Sequence, residues 1–438
     1  MRPRIALAAA AAFSAAAPVV TGTVPDDVVI PYAIAAAVAV AALGAPWRSR
    51  ARVWANRFAL VIVSSALSLT AIDTAARIVM RFWLEPGPVE IYGDPYPRMP
   101  LIGRYAANVR YHARTSGDLS RPWDLRADRE YRDLVWITDG AGFPNDPATT
   151  DPGQPLDLIL LGDSFGEGGD TSYERSWGAL FRSRYGLRVY NLSIAAASPW
   201  HEYVTLASEI GGLRTRPGTL VVWALFTGND LDGGIYHSTL DLAQLPWQDP
   251  LGEWRTKFQR FRDRSPVRRA QWLLRERAHM ADVVLRRPFL DGGAVLFFRP
   301  HVSRARATLG MVEHHPDFPA LQATVAATAK LARERGLRLA VVLIPSKEEV
   351  YAWVVENGPA WSTTGEPSAL SIAIERMAAA HGVDFFDLKP LFVAESRRAW
   401  EQAGGLLWWR DDTHWNERGH ELAARAVYER FVAPRPSR

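Results

Sequence analysis

The 438-residue sequence contains no cysteine. That excludes a disulfide, a thiolate nucleophile and a cysteine-ligated metal, while leaving the compartment open. The chain also lacks a strong excess of either charge: 51 Lys and Arg stand against 47 Asp and Glu, a formal net charge of +4. With 22% charged and 48% hydrophobic residues it does not belong to the disordered class. Its positive side comes mostly from arginine and is unevenly spread. Tryptophan, by contrast, is plentiful at 17 residues, enough to serve a core and to line a sugar or lipid surface. The length accommodates one large domain and something smaller.

Three apolar runs precede any globular pattern, at residues 5–20, 28–45 and 58–80. A helix needs about 20 mostly apolar residues to cross the hydrocarbon core, and the first two runs approach that. In the third, Asp73 and Arg77 lie four apart on one helical face, where they can pair. Arg2 and Arg4 precede the first run, and Arg48, Arg50, Arg52 and Arg57 separate the second from the third. Only Asp26 and Asp27 charge the loop between the first two. The positive-inside rule then puts the N-terminus and the arginine loop in the cytoplasm. The expectation is an N-terminal membrane region over residues 1–85, with two to three transmembrane helices in the cell (inner or plasma) membrane. Three spans place the rest of the chain outside. A cleaved signal peptide ending near Ala15-Ala16-Ala17 gives the same side; a third run that fails to span leaves the rest inside.

Residues 86–155 begin with Pro86, Pro88, Pro95, Pro97 and Pro100, the mark of an extended linker. Residues 109–113 and 134–138 have strand character, so this region reads as a small β-containing preface. From residue 156 the pattern changes. Apolar strands at 156–162, 187–192, 219–226, 337–344 and 383–388 are interleaved with helical patterns at 177–185, 320–335 and 368–381, and a helix at 417–431 closes the domain. Short apolar runs of this kind are strands buried on both faces, and their alternation with helices predicts a parallel sheet. The expected fold is therefore α/β: a three-layer α/β/α sandwich with a five-stranded parallel sheet, flavodoxin-like, over residues 156–432. An insertion at about 232–318 far exceeds a usual connection. Its residues 254–277 read as helical and arginine-rich, suited to an anionic bilayer, a charged glycan or a solvated lid.

Open α/β sheets place ligands at the carboxyl ends of their strands. The first strand ends in Gly162-Asp163-Ser164-Phe165, and the second runs into Ala195-Ala196-Ala197. The third ends in Thr227-Gly228-Asn229-Asp230, and Asp411-Asp412-Thr413-His414-Trp415-Asn416 follows the fifth. Ser164 is a candidate nucleophile if a base and an oxyanion site come from elsewhere, and His414 and Asn229 are the candidates. Each piece alone is ordinary turn or cap chemistry. Their order, each at a strand end, gives them weight.

This pattern resembles the SGNH hydrolase superfamily, the GDSL-type lipases and esterases. The family's first block corresponds to residues 162–165, its third to 228–230 and its fifth to 411–414. Its second block normally carries a glycine where this chain has Ala196. The run 412–416, and Ile344-Pro345-Ser346-Lys347 with Val350-Tyr351, are similar to membrane-associated and periplasmic polysaccharide O-acetyltransferases of the superfamily. The resemblance implies acyl-ester chemistry: Ser164 attacks an ester carbonyl and His414 takes its proton. Asp411 or Asp412 orients His414; Asp411 fits the family's common spacing and Asp412 the tighter one. The N–H groups of Ser164 and Ala196 and the amide of Asn229 form the oxyanion hole. Asp163, Gly228 and Asp230 are supporting residues.

The expected substrate is an O-acyl ester, acetyl above all, of a cell-envelope glycan or lipid, taken to water or to a sugar hydroxyl. The rival is a non-catalytic glycan-binding or polysaccharide-assembly protein on the same fold. Membrane lipid and an acyl-exporting membrane protein are the candidate partners, and nucleic acid is not expected. No cofactor or metal is implied; His314-His315 has no ligand set nearby. His201, His237 and His301 read as surface or core residues. Trp408, Trp409 and Trp415 flank the base and suit either a pocket wall or the core.

Overall fold

The computed structural model describes residues 50–83, 92–96, 99–123, 125–150, 153–231, 265–276, 279–289, 292–356, 365–403 and 405–433, with short pieces at 16–17, 32–33, 36–37, 258 and 261–262. The chain divides into two compact units: Met1–Val89 with Asp249–His279, and Glu90–Gln248 with Met280–Arg438.

In the first unit the third apolar run lies in the helix Arg50–Trp83. Asp73 is buried there and takes hydrogen bonds from Arg77 Nε at 2.6 Å and Ser265 Oγ at 2.5 Å. Ser265 immediately precedes the helix Pro266–Glu276, which lies within the arginine-rich segment. Among the described residues, no helix is long and apolar enough to cross a membrane. The first two apolar runs lie almost wholly outside the described residues.

Among the described residues the second unit contains eleven strands. Two hairpin-like pairs come first: β1 (Tyr92–Tyr96) with β2 (Met99–Tyr105), and β3 (Arg110–Thr115) with β4 (Arg132–Ile137), both antiparallel. Then come β5 (Leu158–Gly162), β6 (Val189–Asn191), β7 (Leu220–Phe226), β8 (Val284–Pro288), β9 (Ala294–Phe298), β10 (Arg338–Ile344) and β11 (Asp384–Asp387). The main sheet is parallel, in the order β11-β10-β7-β5-β6. Its inner strands are buried on both faces, as their apolar runs require. Side chains alternate between the faces. Leu158, Leu160, Val222, Ala224, Phe226, Val342 and Ile344 meet Trp177, Phe181, Phe392, Leu422 and Val427 from the helices on one side. Ile159, Leu161, Val221, Trp223, Leu225, Val341 and Leu343 meet Trp200, Val204, Leu321, Val325 and Ile374 on the other. Three layers result.

The insertion, expected as a helical basic segment, also contains strands. Within it β8 and β9 form an antiparallel hairpin, with Gly292 at φ +84° in the turn. The run Ala294–Phe298, AVLFF, is a short apolar strand that a long basic segment hides from view. Residues 232–257 of the insertion lie outside the described residues.

β5 connects first to β6 on one side and the chain then crosses to β7 on the other. The topological switch point therefore lies between β5 and β7, where such sheets open a crevice at their carboxyl ends.

Candidate active site

Ser164 follows β5 after the single residue Asp163, as the first residue of the short helix Ser164–Glu167. Asp163 caps that helix: its Oδ1 accepts the Phe165 N–H at 2.9 Å. The capped turn fixes Ser164 at the sheet edge, half-buried. His414 arrives from the loop before the helix Glu417–Phe431, whose cap Asn416 accepts from the Arg418 and Gly419 N–H groups. His414 Nε2 lies 2.8 Å from Ser164 Oγ, and Nδ1 lies 2.8 Å from Asp412 Oδ1. Asp412 Oδ1 also accepts the backbone N–H of His414 at 2.9 Å. The three side chains thus form one continuous relay.

Gly169 backs the imidazole. A Cβ there would stand 3.0 Å from His414 Cδ2, and its φ of +34° lies in the left-handed region. The imidazole also packs against Phe165, at 4.9 Å between ring centroids. Burial disfavours the imidazolium, but the hydrogen bond and charge of Asp412, then the charges of Asp118 and Asp170, outweigh it and push the His414 pKa up to about 10. Asp412 moves the other way: burial works against its ionisation, but the His414 hydrogen bond and the charges of His414 and Arg132 hold it well below the usual carboxylate range.

Asp411 makes no bond to His414. It is fully buried and points away, taking hydrogen bonds from Gly117 N at 2.8 Å, Ser120 Oγ at 2.5 Å, Glu130 N at 3.1 Å and Arg132 at 3.3 Å. The sequence left Asp411 and Asp412 open; the geometry gives the contact with His414 to Asp412.

The other strand ends meet the same edge. Ala196 has φ +61°, a left-handed backbone that favours glycine. Asn229 follows β7 and its Oδ1 is buried without a hydrogen-bond partner. Gly228 is obligatory: a Cβ there would fall 2.2 Å from the Phe226 ring and 2.9 Å from His301 Cε1. Asp230 Oδ2 accepts the Phe226 N–H at 2.6 Å and braces that turn. Burial pushes the carboxyls of Asp163, to about 6, and of Asp230 upward.

Residues 305–436 match the family model of the SGNH hydrolase-like domain, acetyltransferase AlgX. The C-terminal part of the chain, residues 305–436, is thus similar to an SGNH hydrolase-like acetyltransferase domain. The matched residues include Asp411, Asp412 and His414 but neither Ser164 nor Asn229. Three solved structures are similar at low identity. One is titled TesA (14% identity, TM-score 0.33, covering 62% of this chain and 96% of that one). Another is the esterase EstA from Pseudoalteromonas sp. inhibited by monoethylphosphonate (11%, 0.29, 62% and 94%). A third is the acetyl xylan esterase AlAXEase (11%, 0.34, 63% and 99%). A comparison with curated proteins finds no match.

Several residues of this site escape a reading of the motifs. Lys347 is buried, with Nζ 2.8–3.1 Å from the carbonyls of Leu296, Trp409, Arg410 and Asp412, so it anchors the backbone that carries the Asp-Asp-Thr-His run. Burial lowers its pKa to about 8, against the pull of Glu348 and the site's aspartates. Its only signal was its place in the 344–347 stretch. His420 lies one helical turn beyond the motif, and its Nε2 is 2.9 Å from the Gly168 carbonyl beneath the nucleophile turn. Burial pushes the His420 pKa down to about 3, which keeps it neutral.

Of the tryptophans, Trp408 and Trp415 are fully buried and packed with Phe392, which makes them core rather than pocket wall. Trp409 is half-buried and lies beneath the Arg132 guanidinium, 4.6 Å from ring centroid to carbon. His201 is buried, its Nδ1 bonded within the Ser198 cap, and His301 is buried facing Glu348. His237 lies outside the described residues. One carboxylate–imidazole group, Asp118, Asp412 and His414, holds its ligand atoms within 4.8 Å of one another. Both Asp412 oxygens there already accept hydrogen bonds, which suits a relay better than a cation.

Proposed function

We propose that the chain is a serine acyltransferase or esterase that carries an acyl group, acetyl above all, on Ser164, with a cell-envelope glycan or lipid as the other reactant. The observation that carries this reading is the unbroken line from Ser164 Oγ through His414 to Asp412, two contacts of 2.8 Å. Ser164 gives its proton to His414 Nε2 as Oγ bonds to the ester carbonyl carbon. Negative charge develops on the carbonyl oxygen and meets the N–H groups of Ser164 and Ala196 and the Asn229 amide. The alcohol leaves with the proton from Nε2, and the acyl group stays on Oγ. Water or a sugar hydroxyl then repeats the sequence in reverse, losing its proton to Nε2 and releasing Ser164. Asp412 holds the imidazole in the tautomer that accepts at Nε2 and stabilises the cation.

The basic residues flanking the N-terminal runs support a membrane anchor with the catalytic unit on the extracytoplasmic side. There the acyl donor would come from an acyl-exporting membrane protein. A reporter active only outside the cytoplasm, fused after residue 438, tests the side. The activity test compares full-length protein with Ser164→Ala on p-nitrophenyl acetate. Loss of turnover and of labelling by a serine-reactive phosphonate in the variant supports the reading. Equal rates in two folded proteins would sink it and favour a glycan-binding role.

A further inference from the structure

We infer that Arg132 is a positioning residue for the reaction, and that residues 105–145 are part of the catalytic unit rather than a linker. This rests on the triad reading above.

These residues touch three of the four strand-end blocks. At the nucleophile turn, the Tyr105 hydroxyl donates to Glu167 Oε2 at 2.5 Å and Trp136 Nε1 donates to Glu167 Oε1 at 2.9 Å. At the second block the same Tyr105 oxygen accepts the Ala195 N–H at 2.9 Å, beside Ala196. Asn145 meanwhile exchanges two hydrogen bonds with the backbone of Asn191.

The Asp411–Asn416 run is gripped hardest. Asp118 N donates to Asp412 Oδ2, and the Asp118 carboxylate accepts both the backbone N–H and the hydroxyl of Thr413. Glu130 accepts the Arg410 N–H at 2.7 Å. Gly117 N–H and Ser120 Oγ hold Asp411, and the fit is tight enough that a Cβ at Gly117 would collide with the Asp411 carbonyl at 1.8 Å.

Arg132 joins these contacts to the chemistry. Its guanidinium, almost fully buried, reaches Asp412 Oδ2, Asp411 Oδ1 and Asp170 Oδ2 and lies over the Trp409 ring. One planar fork therefore fixes both adjacent aspartates. With Oδ2 of Asp412 committed to Arg132 and Asp118, Oδ1 has one place to go, toward His414. Asp411 acts through the same fork. A lysine would bring the charge without the plane, so it could not hold two carboxylates at fixed angles.

The charge has a separate and readable consequence. Arg132 partly neutralises Asp412. Removing it leaves more negative charge facing His414, which favours the imidazolium and raises the His414 pKa further. The groups acting on His414 are Ser164, Asp118, Asp163, Glu167, Asp170, Asp412 and His420; none is substituted in the variant, and of these Asp170 and Asp412 contact Arg132.

The test uses full-length Arg132→Ala and Arg132→Lys on p-nitrophenyl acetate from pH 6 to 10, with and without added guanidinium at a non-denaturing concentration. Arg286→Ala is the control; Arg286 joins Asp128 of the same region to β8 through a two-pronged ion pair. A misplaced base costs about 100-fold, so kcat should fall by that order in Arg132→Ala with KM little changed. The rising limb of kcat/KM should move to higher pH, the imidazole titration followed by NMR without substrate should move with it, and guanidinium should restore kcat at least in part. Arg132→Lys, which keeps the charge, should lose kcat without the pH shift; Arg286→Ala should show neither change. The inference is overturned if kcat falls only with the folded fraction, the limb stays in place and guanidinium does nothing. Wild-type turnover independent of Ser164 would overturn the triad reading itself, a result the Ser164→Ala comparison separates from the first.

Discussion

Asp412→Asn keeps the shape of the carboxylate and inverts half of its hydrogen bonding. Four donors surround the Asp412 carboxylate. Oδ1 accepts from His414 Nδ1 at 2.8 Å and His414 N at 2.9 Å; Oδ2 accepts from Asp118 N at 3.2 Å and from Arg132. An amide has one accepting end. Arg132 cannot give up its proton, so the amide oxygen stays with it and the NH2 turns to His414. Nδ1 must then accept, and the proton moves to Nε2. Ser164 Oγ, 2.8 Å away, now faces an N–H that cannot take its proton. The same substitution in the serine protease triad lowers kcat about 10⁴-fold, equivalent to about 5.5 kcal/mol in the barrier. A loss of that order is expected here on p-nitrophenyl acetate. The pH profile supplies a second reading. With a His414 pKa of about 10, the wild-type base is mostly protonated at neutral pH and kcat/KM should climb into the alkaline range. Asp412 is the chief cause of that elevation, so its loss should bring the limb to lower pH as the plateau falls. Asp411→Asn should cost much less in kcat, since Asp411 does not touch the imidazole. An Asp412→Asn kcat within tenfold of wild type, or a limb that stays where it was, would refute the relay.

Asn229→Ala should lower kcat about 100- to 1000-fold, or 2.7–4 kcal/mol, with a small change in KM, as loss of one oxyanion donor does; an unchanged kcat assigns the oxyanion contact elsewhere. Ala196→Gly removes the left-handed strain at φ +61° and should raise stability by about 0.5–1 kcal/mol after the entropic cost of glycine, measurable as a higher denaturant midpoint. Glu167 gives a pH-dependent difference. Burial, opposed by the Tyr105 and Trp136 hydrogen bonds, pushes its pKa up to about 7, so above its unfolded value of about 4.3 the folded state holds a proton that the unfolded chain has released. Stability from this group therefore falls as pH rises through that window. Glu167→Gln has no such loss, so the difference between variant and wild type should shift in the variant's favour from about pH 4.5 to pH 7; a constant difference contradicts the raised pKa.

The parts of this fold that rest on periodicity were legible in the sequence. The strands β5, β7 and β10 are uninterrupted apolar runs because both their faces are covered, and residues 417–431 match the C-terminal helix. Ser164 could be found because it follows such a run at a strand's carboxyl end; His414 stands in the loop before the C-terminal helix, separated from β11 by the helix Lys389–Ala403, and its signal was the Asp-Asp-Thr-His run itself. The β8–β9 hairpin was hidden because a five-residue strand inside a basic segment carries too little pattern to outweigh its surroundings. The status of Trp408 and Trp415 was equally hidden, since a core tryptophan and a pocket tryptophan look alike in sequence.

The choice between Asp411 and Asp412 shows where local reading must stop. Two adjacent carboxylates in an extended turn point in different directions, so only one can meet His414. Spacing permits either. The decision is made by donors about 280–295 positions away along the chain: Gly117, Asp118, Ser120 and Arg132. They belong to a region whose prolines and turns suggest a linker and whose strands are too short to announce a role. Gly117 N–H, Ser120 Oγ and Arg132 satisfy Asp411 so fully that it has no reason to turn toward the imidazole. The orientation of the base is thus a property of the preface as much as of the motif. Truncating the chain just before residue 156 would leave every motif residue in place and should still abolish the relay.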